Sequence, residues 1–201
     1  MRRVIQSLDR RFAWLNGPAA RGPFSFPMKS SLAIDDFELF GLPRRFALDR
    51  ADLDARRRAL QAEVHPDRFA AADSAARLAA MQSAVRVNEA YERLKHPTRR
   101  AAYLCELAGA PIGAEDNTAM PVDFLDRQMT WREALDEAST KGELEVLEQD
   151  VTRERRSAHE RLGYSLDGSN DVAEAVRQVR ALMFVERFAA VVDDRLAALE
   201  R

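Results

Sequence analysis

The chain has 201 residues, 46% of them apolar and 32% charged, with a formal net charge of -2 at pH 7. That is apolar material enough for one medium or two small packed units, and the near-balanced charge argues against a strongly basic nucleic-acid binder. The single cysteine, Cys105, excludes an intramolecular disulfide and fits a reducing compartment, and no apolar run approaches the roughly 20 residues that cross a bilayer.

Residues 1–33 read as a basic extension, disordered or an upstream over-read. Its first 30 positions hold Arg2, Arg3, Arg10, Arg11, Arg21 and Lys29 against the single acid Asp9. Val4, Ile5, Leu8, Phe12 and Leu15 fall at helical spacing, and Asn16-Gly17-Pro18 stops the pattern. Two readings stay open: an Arg-rich, acid-poor arm of the kind that addresses proteins to mitochondria, or a true start at Met28. A DNA-contacting arm is the weaker third reading, and a salt-dependent DNA shift is its test.

Residues 34–108 are organised differently. Phe37, Leu39 and Phe40 cluster before Gly41-Leu42-Pro43. Asp49 is an N-cap candidate, with Asp52 three residues on, for a helix to about Val64 whose Leu53, Leu60 and Val64 share a stripe. Pro66 breaks that pattern. A long Ala-rich helix follows from about Asp73 to Leu94, with Met81, Val85, Asn88 and Tyr91 assigned to its buried side. His96-Pro97 ends it, and a shorter helix runs from Thr98 to Leu107 and closes at Gly109.

Residues 109–121 are rich in breakers and read as a linker. Residues 122–201 carry three helical stretches, at about 122–138, 142–163 and 171–199, separated by Thr140-Lys141-Gly142 and Asp167-Gly168-Ser169-Asn170. Short turns make neighbours antiparallel, so this half reads as a three-helix bundle and the whole chain as all-α.

The first candidate site is His65-Pro66-Asp67, between two helices, with Arg56, Arg57 and Arg58 on the helix before it and Arg68 just after. A rigid loop presenting one acid beside a basic helix face is a docking device, steering an acidic partner and pairing the acid with an arginine there. Taken alone, the arginine run also reads as an ordinary solvated face. The second candidate lies on helix 122–138. At about 100° per residue, Phe124, Gln128, Trp131 and Leu135 face the core, whereas Leu125, Met129, Glu133 and Glu137 form a separate stripe. Apolar residues and acids off the core face suit a partner surface, and burial of Leu125 and Met129 under a third helix is the competing reading. On the last helix Val172, Val176, Val179 and Met183 make a core stripe. Phe184, Val185, Phe188 and Val192 make its middle apolar almost all round, so it is either central in the bundle or exposes a sticky face, and centrality is favoured.

The His65-Pro66-Asp67 triplet, Asn88-Glu89-Ala90-Tyr91-Glu92-Arg93-Leu94, Pro97 and Arg100-Ala101-Ala102-Tyr103 together resemble a J-domain over residues 36–104. Phe37-Glu38-Leu39-Phe40-Gly41-Leu42-Pro43, Phe124-Leu125 and Arg132-Glu133-Ala134-Leu135-Asp136-Glu137 extend the resemblance, to about residue 200, to the HscB family of J-type co-chaperones of iron–sulfur cluster assembly. No Gly/Phe-rich segment or CxxC repeat of a general DnaJ-type protein is present.

The resemblance implies a non-enzymatic adaptor without cofactor or metal. Its J-domain stimulates the ATPase of a DnaK-family chaperone of the HscA type through His65, Pro66 and Asp67, with Arg56, Arg57 and Arg68 for docking. Its bundle holds an IscU-type scaffold through Leu125, Met129, Glu133 and Glu137. A general J-protein delivering unfolded clients is the alternative. The sequence departs from the family pattern at Glu63, where a basic residue is common, and at Asp126, Thr130 and Ala181, where an apolar, an acidic and an aromatic residue are expected. Enzyme signatures are missing: there is no Gly-rich phosphate loop, nucleophile elbow or metal-ligand spacing. A bacterial cytoplasm is favoured over a mitochondrial matrix on the Ala/Arg-rich composition, with neither membrane nor nucleic acid as a partner.

Overall fold

The computed structural model describes residues 34–69, 72–113 and 122–199. The readings made for residues 1–33, including the amphipathic pattern and Met28, lie outside them. All regular structure among the described residues is helical: α1 (Asp36–Leu39), α2 (Arg50–Glu63), α3 (Ser74–Lys95), α4 (Pro97–Leu107), α5 (Val122–Glu137), α6 (Lys141–Gly163) and α7 (Val172–Leu199). A 3-10 turn at Pro66–Phe69 joins α2 to α3, and a π turn at Tyr164–Gly168 follows α6.

Local chemistry sets these limits. Asp35, Asp49 and Asp73 each accept a backbone N–H of the helix they open. Thr140, read from sequence as part of a stop, is the N-cap of α6 and forms a reciprocal capping box with Glu143. The two bonds that the Glu143 carboxylate accepts from the Ser139 and Thr140 amides hold its pKa below the ordinary glutamate value. Gly41 (φ 60°) supplies the left-handed residue that turns the chain after α1.

One core joins α1 to α2, α3 and α4 through Phe37, Leu39, Phe40, Leu53, Leu60, Val87, Ala90, Tyr91, Leu94 and Tyr103. Asp36 is fully buried there, with its oxygens 2.5 Å from Arg86 and 2.8 Å from Arg93, and its backbone N–H donates to the Tyr103 hydroxyl at 3.0 Å. A buried carboxylate needs this pairing, because desolvation otherwise disfavours its charge.

The buried side of α3 is not the one expected. Tyr91 is buried, but Met81 and Val85 are 57% and 56% exposed, and Asn88 is exposed too. The core seam is Ala80, Ser83, Val87, Ala90 and Leu94, at spacings of three and four. Small side chains at Ala80, Ser83 and Ala90 share that side with Val87, Tyr91 and Leu94, and Met81 and Val85 fall on the open side of the helix.

A second core holds α5, α6 and α7, with aromatic rings as its spine. Trp131 stacks on Phe188 (5.5 Å between centroids), Phe188 on Phe184 (6.0 Å), and Phe124 meets Phe184 edge-on (5.7 Å). The Trp131 indole N–H donates to Asp150 on α6 at 2.8 Å. Helix α7 is central, packed by α4, α6 and the aromatic side of α5, and buries Val185, Phe188 and Val192. Met183, assigned to its core stripe, is instead 42% exposed. Enclosure of α7 makes Leu182 the buried residue at that level and leaves Met183 in an open sector.

The two halves share this second core. Phe46, from the α1–α2 loop, and Ala101 and Cys105, from α4, are buried among the bundle residues. The Ile112 carbonyl, in the stretch read as linker, accepts from Arg180 of α7 at 3.0 Å.

Candidate functional site

The hairpin tip forms because α2 cannot continue. The Val64 N–H still bonds back to the Leu60 carbonyl at 3.0 Å, but Pro66 has no N–H to add. The chain then closes one tight turn, from the Arg68 N–H to the His65 carbonyl at 3.0 Å. Nδ1 of His65 accepts the Asp67 N–H at 3.3 Å, which puts the proton of the neutral ring on Nε2. The Asp67 carboxylate lies 3.5 Å from the same nitrogen, a contact that becomes an ion pair only on the protonated ring. With Nδ1 taken by the backbone, that carboxylate is 89% exposed and meets no other partner among the described residues. The turn thus presents one free acid on a short, hydrogen-bonded scaffold.

The three arginines expected to dock fare differently. Arg56 donates to Asp52 (2.9 Å), to the Phe40 carbonyl (2.9 Å) and to the Gly41 carbonyl (2.8 Å), so its guanidinium ties α2 to the end of α1. It also sits about 10 Å along the helix axis from the end of α2 at Glu63, at 1.5 Å per residue. Arg57 lies over the Tyr91 ring at 4.1 Å from its centroid, with a long 3.4 Å contact to Asn88. Arg68 donates to the Ala62 carbonyl at 3.2 Å and is otherwise exposed beside the tip. Arg58, in the run but not selected from sequence, is exposed and makes no hydrogen bond or ion pair among the described residues. Its signal was present in the helical spacing: Arg58 points away from the Leu53–Leu60 stripe. Glu63 is half-buried at the end of α2, close in sequence to the tip.

The second site is the outer face of α5. Phe124 (7% exposed) and Trp131 (2%) are in the core, as the helical angle predicts, while Leu125 (44%) and Met129 (61%) are open. Glu133 and Glu137 are exposed one and two turns further on, and Asp126 is exposed beside Leu125. None of these three carboxylates has an ion-pair partner among the described residues. Thr130 donates its hydroxyl to the Asp126 carbonyl at 3.1 Å, spending its side chain on its own helix. Ala181 is half-buried at the wall of a cavity of about 260 Å³, whose floor includes Phe124, Leu182 and Val185. Phe184 nearby is half-buried: its ring packs on Phe124 and Phe188, and the Arg132 guanidinium lies 5.7 Å from its centroid.

Residues 120–193 match the family model described as the HSCB C-terminal oligomerisation domain. The chain is 50% identical over 175 residues to the co-chaperone protein HscB homolog of Burkholderia thailandensis, covering 85% of this chain and 98% of the relative. The chaperone HscB of Vibrio cholerae superposes with a TM-score of 0.72 at 36% identity, over 83% of this chain and 99% of that one. The human co-chaperone protein HscB superposes with a TM-score of 0.74 at 25% identity, over 92% and 94% of the two chains. The chain belongs to the HscB co-chaperone family.

An HscB co-chaperone with this architecture carries two exposed candidate surfaces, one on each half: the tip after α2 and the outer side of α5. Among the described residues no cluster of three or more His, Cys, Asp or Glu side chains is placed to hold a metal ion, and no helix is long and apolar enough to cross a membrane. Cys105 is fully buried, and burial pushes its thiol up to about 11, so it is not a ready nucleophile.

Proposed function

We propose that this HscB protein is a two-site adaptor in the cytoplasm of a bacterium, with no chemistry of its own. The bundle, 122–201, holds an iron–sulfur scaffold protein of the IscU type on the outer face of α5. The J-domain, 34–108, docks on the ATP-bound form of a DnaK-family chaperone of the HscA type and stimulates its ATPase.

The observation that carries this reading is the Asp67 carboxylate, fully displayed on a turn whose backbone is already hydrogen-bonded. Such an acid loses little entropy on pairing with an arginine of the partner. Arg57, Arg58 and Arg68 supply the positive field beside it, and Arg56 serves the fold. On α5, two open apolar side chains and the free carboxylates of Asp126, Glu133 and Glu137 fit an apolar surface rimmed by lysine or arginine. Holding both partners in one chain raises the local concentration of scaffold at the chaperone. Preference for one chaperone state is what shifts the chaperone's equilibrium.

The test is ATPase turnover of an HscA-type chaperone with the adaptor, the scaffold, or both. Synergy is expected with the native chain. Asp67→Asn should abolish stimulation while leaving helicity and scaffold binding unchanged. Full stimulation by that variant overturns the role of the tip.

A further inference from the structure

Asp167 was legible only as a turn residue. In the structure its two carboxylate oxygens accept consecutive backbone N–H groups of the other half of the molecule, Phe46 at 2.7 Å and Ala47 at 2.8 Å. The π turn brings it there. The Ser169 N–H reaches back five residues to the Tyr164 carbonyl at 2.8 Å, and this wider loop offsets the side chains after it from the helical track of α6. Beneath these bonds Phe46 is 7% exposed in the bundle core, and its ring lies over Gly163, where a Cβ would come to 3.6 Å. Arg100 of α4 closes the joint. Its guanidinium lies 5.1 Å from the Phe46 centroid and donates to the Leu94 carbonyl; burial lowers its pKa while attraction to Asp167 opposes that. Thr98 bonds to Glu186 of α7 further along the same contact.

We propose that Asp167 is a positioning residue, a latch that fixes the J-domain on the bundle so that scaffold and chaperone meet in one geometry. The inference rests on the two-site reading above and adds to it that the joint between the sites is part of the mechanism. A carboxylate suits the task, because each of its oxygens takes one charge-assisted bond and both must be made at once. The loop it holds has no helix or strand ladder of its own around Phe46 and Ala47. Without the latch those amides lose their partners, and the halves are joined by Phe46 and the α4–α7 contact without a directional bond at this loop. Neither the tip nor the α5 face includes Asp167, so each site keeps its own partner when the latch is cut.

The test uses the full-length chain and two variants, Asp167→Ala and Asp167→Asn. Amide hydrogen exchange reads the joint directly. The Phe46 and Ala47 amides should exchange at least about tenfold faster in Asp167→Ala, with those of α2 and α3 unchanged. Asp167→Asn keeps one acceptor oxygen and should fall between. Stimulation of the chaperone without scaffold, and scaffold affinity, should match the native chain, whereas the scaffold concentration for half-maximal synergy should rise about three- to tenfold. A merely structural role would lower helicity or both single-partner activities together, and that result overturns the proposal. Unchanged exchange at Phe46 and Ala47 overturns the latch. Faster exchange with full synergy overturns its role in coupling. If the native chain shows no synergy at all, the two-site reading fails and the coupling role falls with it, a result told apart because the exchange experiment still reports on the latch.

Discussion

Helices α3 and α5 place opposite kinds of side chain against their neighbours. α3 buries Ala80, Ser83, Val87 and Ala90, with Tyr91 and Leu94 towards its end, and leaves Leu78, Met81 and Val85 more than half exposed. α5 buries Phe124 and Trp131 and leaves Leu125 and Met129 open. Along the first turns of α3 the buried positions are small, at Ala80 and Ser83, and bulk enters only where Tyr91 and Leu94 reach the core around α1, whereas α5 meets α7 across a layer of stacked rings that only bulk fills. Side-chain size therefore does not decide burial by itself; the helix face on which a residue falls does.

The largest effect that bears on this contrast is expected at the bulky contact. Trp131→Ala removes a ring stacked on Phe188 and the indole donor to Asp150, which keeps only its 3.5 Å pairing with Arg153, and should cost about 3–5 kcal/mol in urea unfolding. A loss under about 1 kcal/mol would mean that α5 is held by something other than its aromatic layer. The converse change is next. Ala90→Leu at the fully buried seam of the hairpin should cost about 1–3 kcal/mol through overpacking, while Met81→Leu on the open side of the same helix stays within about 0.5 kcal/mol. Equal effects at the two positions would erase the distinction between seam and surface on α3.

On α5 the same logic separates stability from binding. Met129→Ala should leave the unfolding midpoint within about 0.5 kcal/mol of the native chain. It should weaken the proposed scaffold complex about tenfold in calorimetric titration, or about 1.4 kcal/mol. Native affinity in that variant would remove Met129 from the contact surface.

These helices also show how far the sequence could be followed. On α5 the angular reading placed Phe124, Trp131, Leu125 and Met129 on the sides where they are found, because bulk and burial coincide there. On α3 and at Met183 it favoured large residues, and there a seam that includes Ala80, Ser83 and Ala90, or an enclosed helix, reversed the choice. The tip was legible because Pro66 and the flanking helices fix it locally. That Arg56 also ties α2 to the Phe40 and Gly41 carbonyls was not legible, because those acceptors lie outside its own helix. Asp167 was invisible for the same reason, since its bonds span some 120 positions of chain. Contacts of that range leave no periodic trace.

The smallest expected effect belongs to the place where the two packing styles meet. His159 on α6 is half-buried, with Nε2 enclosed and unbonded, facing Glu186 of α7, Arg155 of its own helix and Arg100 of α4. Burial lowers its pKa below the ordinary histidine value, and the two arginines add to that while Glu186 opposes it. The unfolded chain thus binds the proton more readily than the folded one. Stability should therefore fall as pH drops through about 6.5, the unfolded value, and level off once the folded form also protonates. The chain carries two further histidines, His65 and His96, so the comparison is with His159→Gln. Its urea midpoint should change less between pH 7.5 and 5.5 than that of the native chain. If both chains lost stability in parallel, the proton would be binding elsewhere. If the native chain gained stability on acidification, Glu186 would outweigh burial, and the junction of α4, α6 and α7 would be held by charge rather than by exclusion of water.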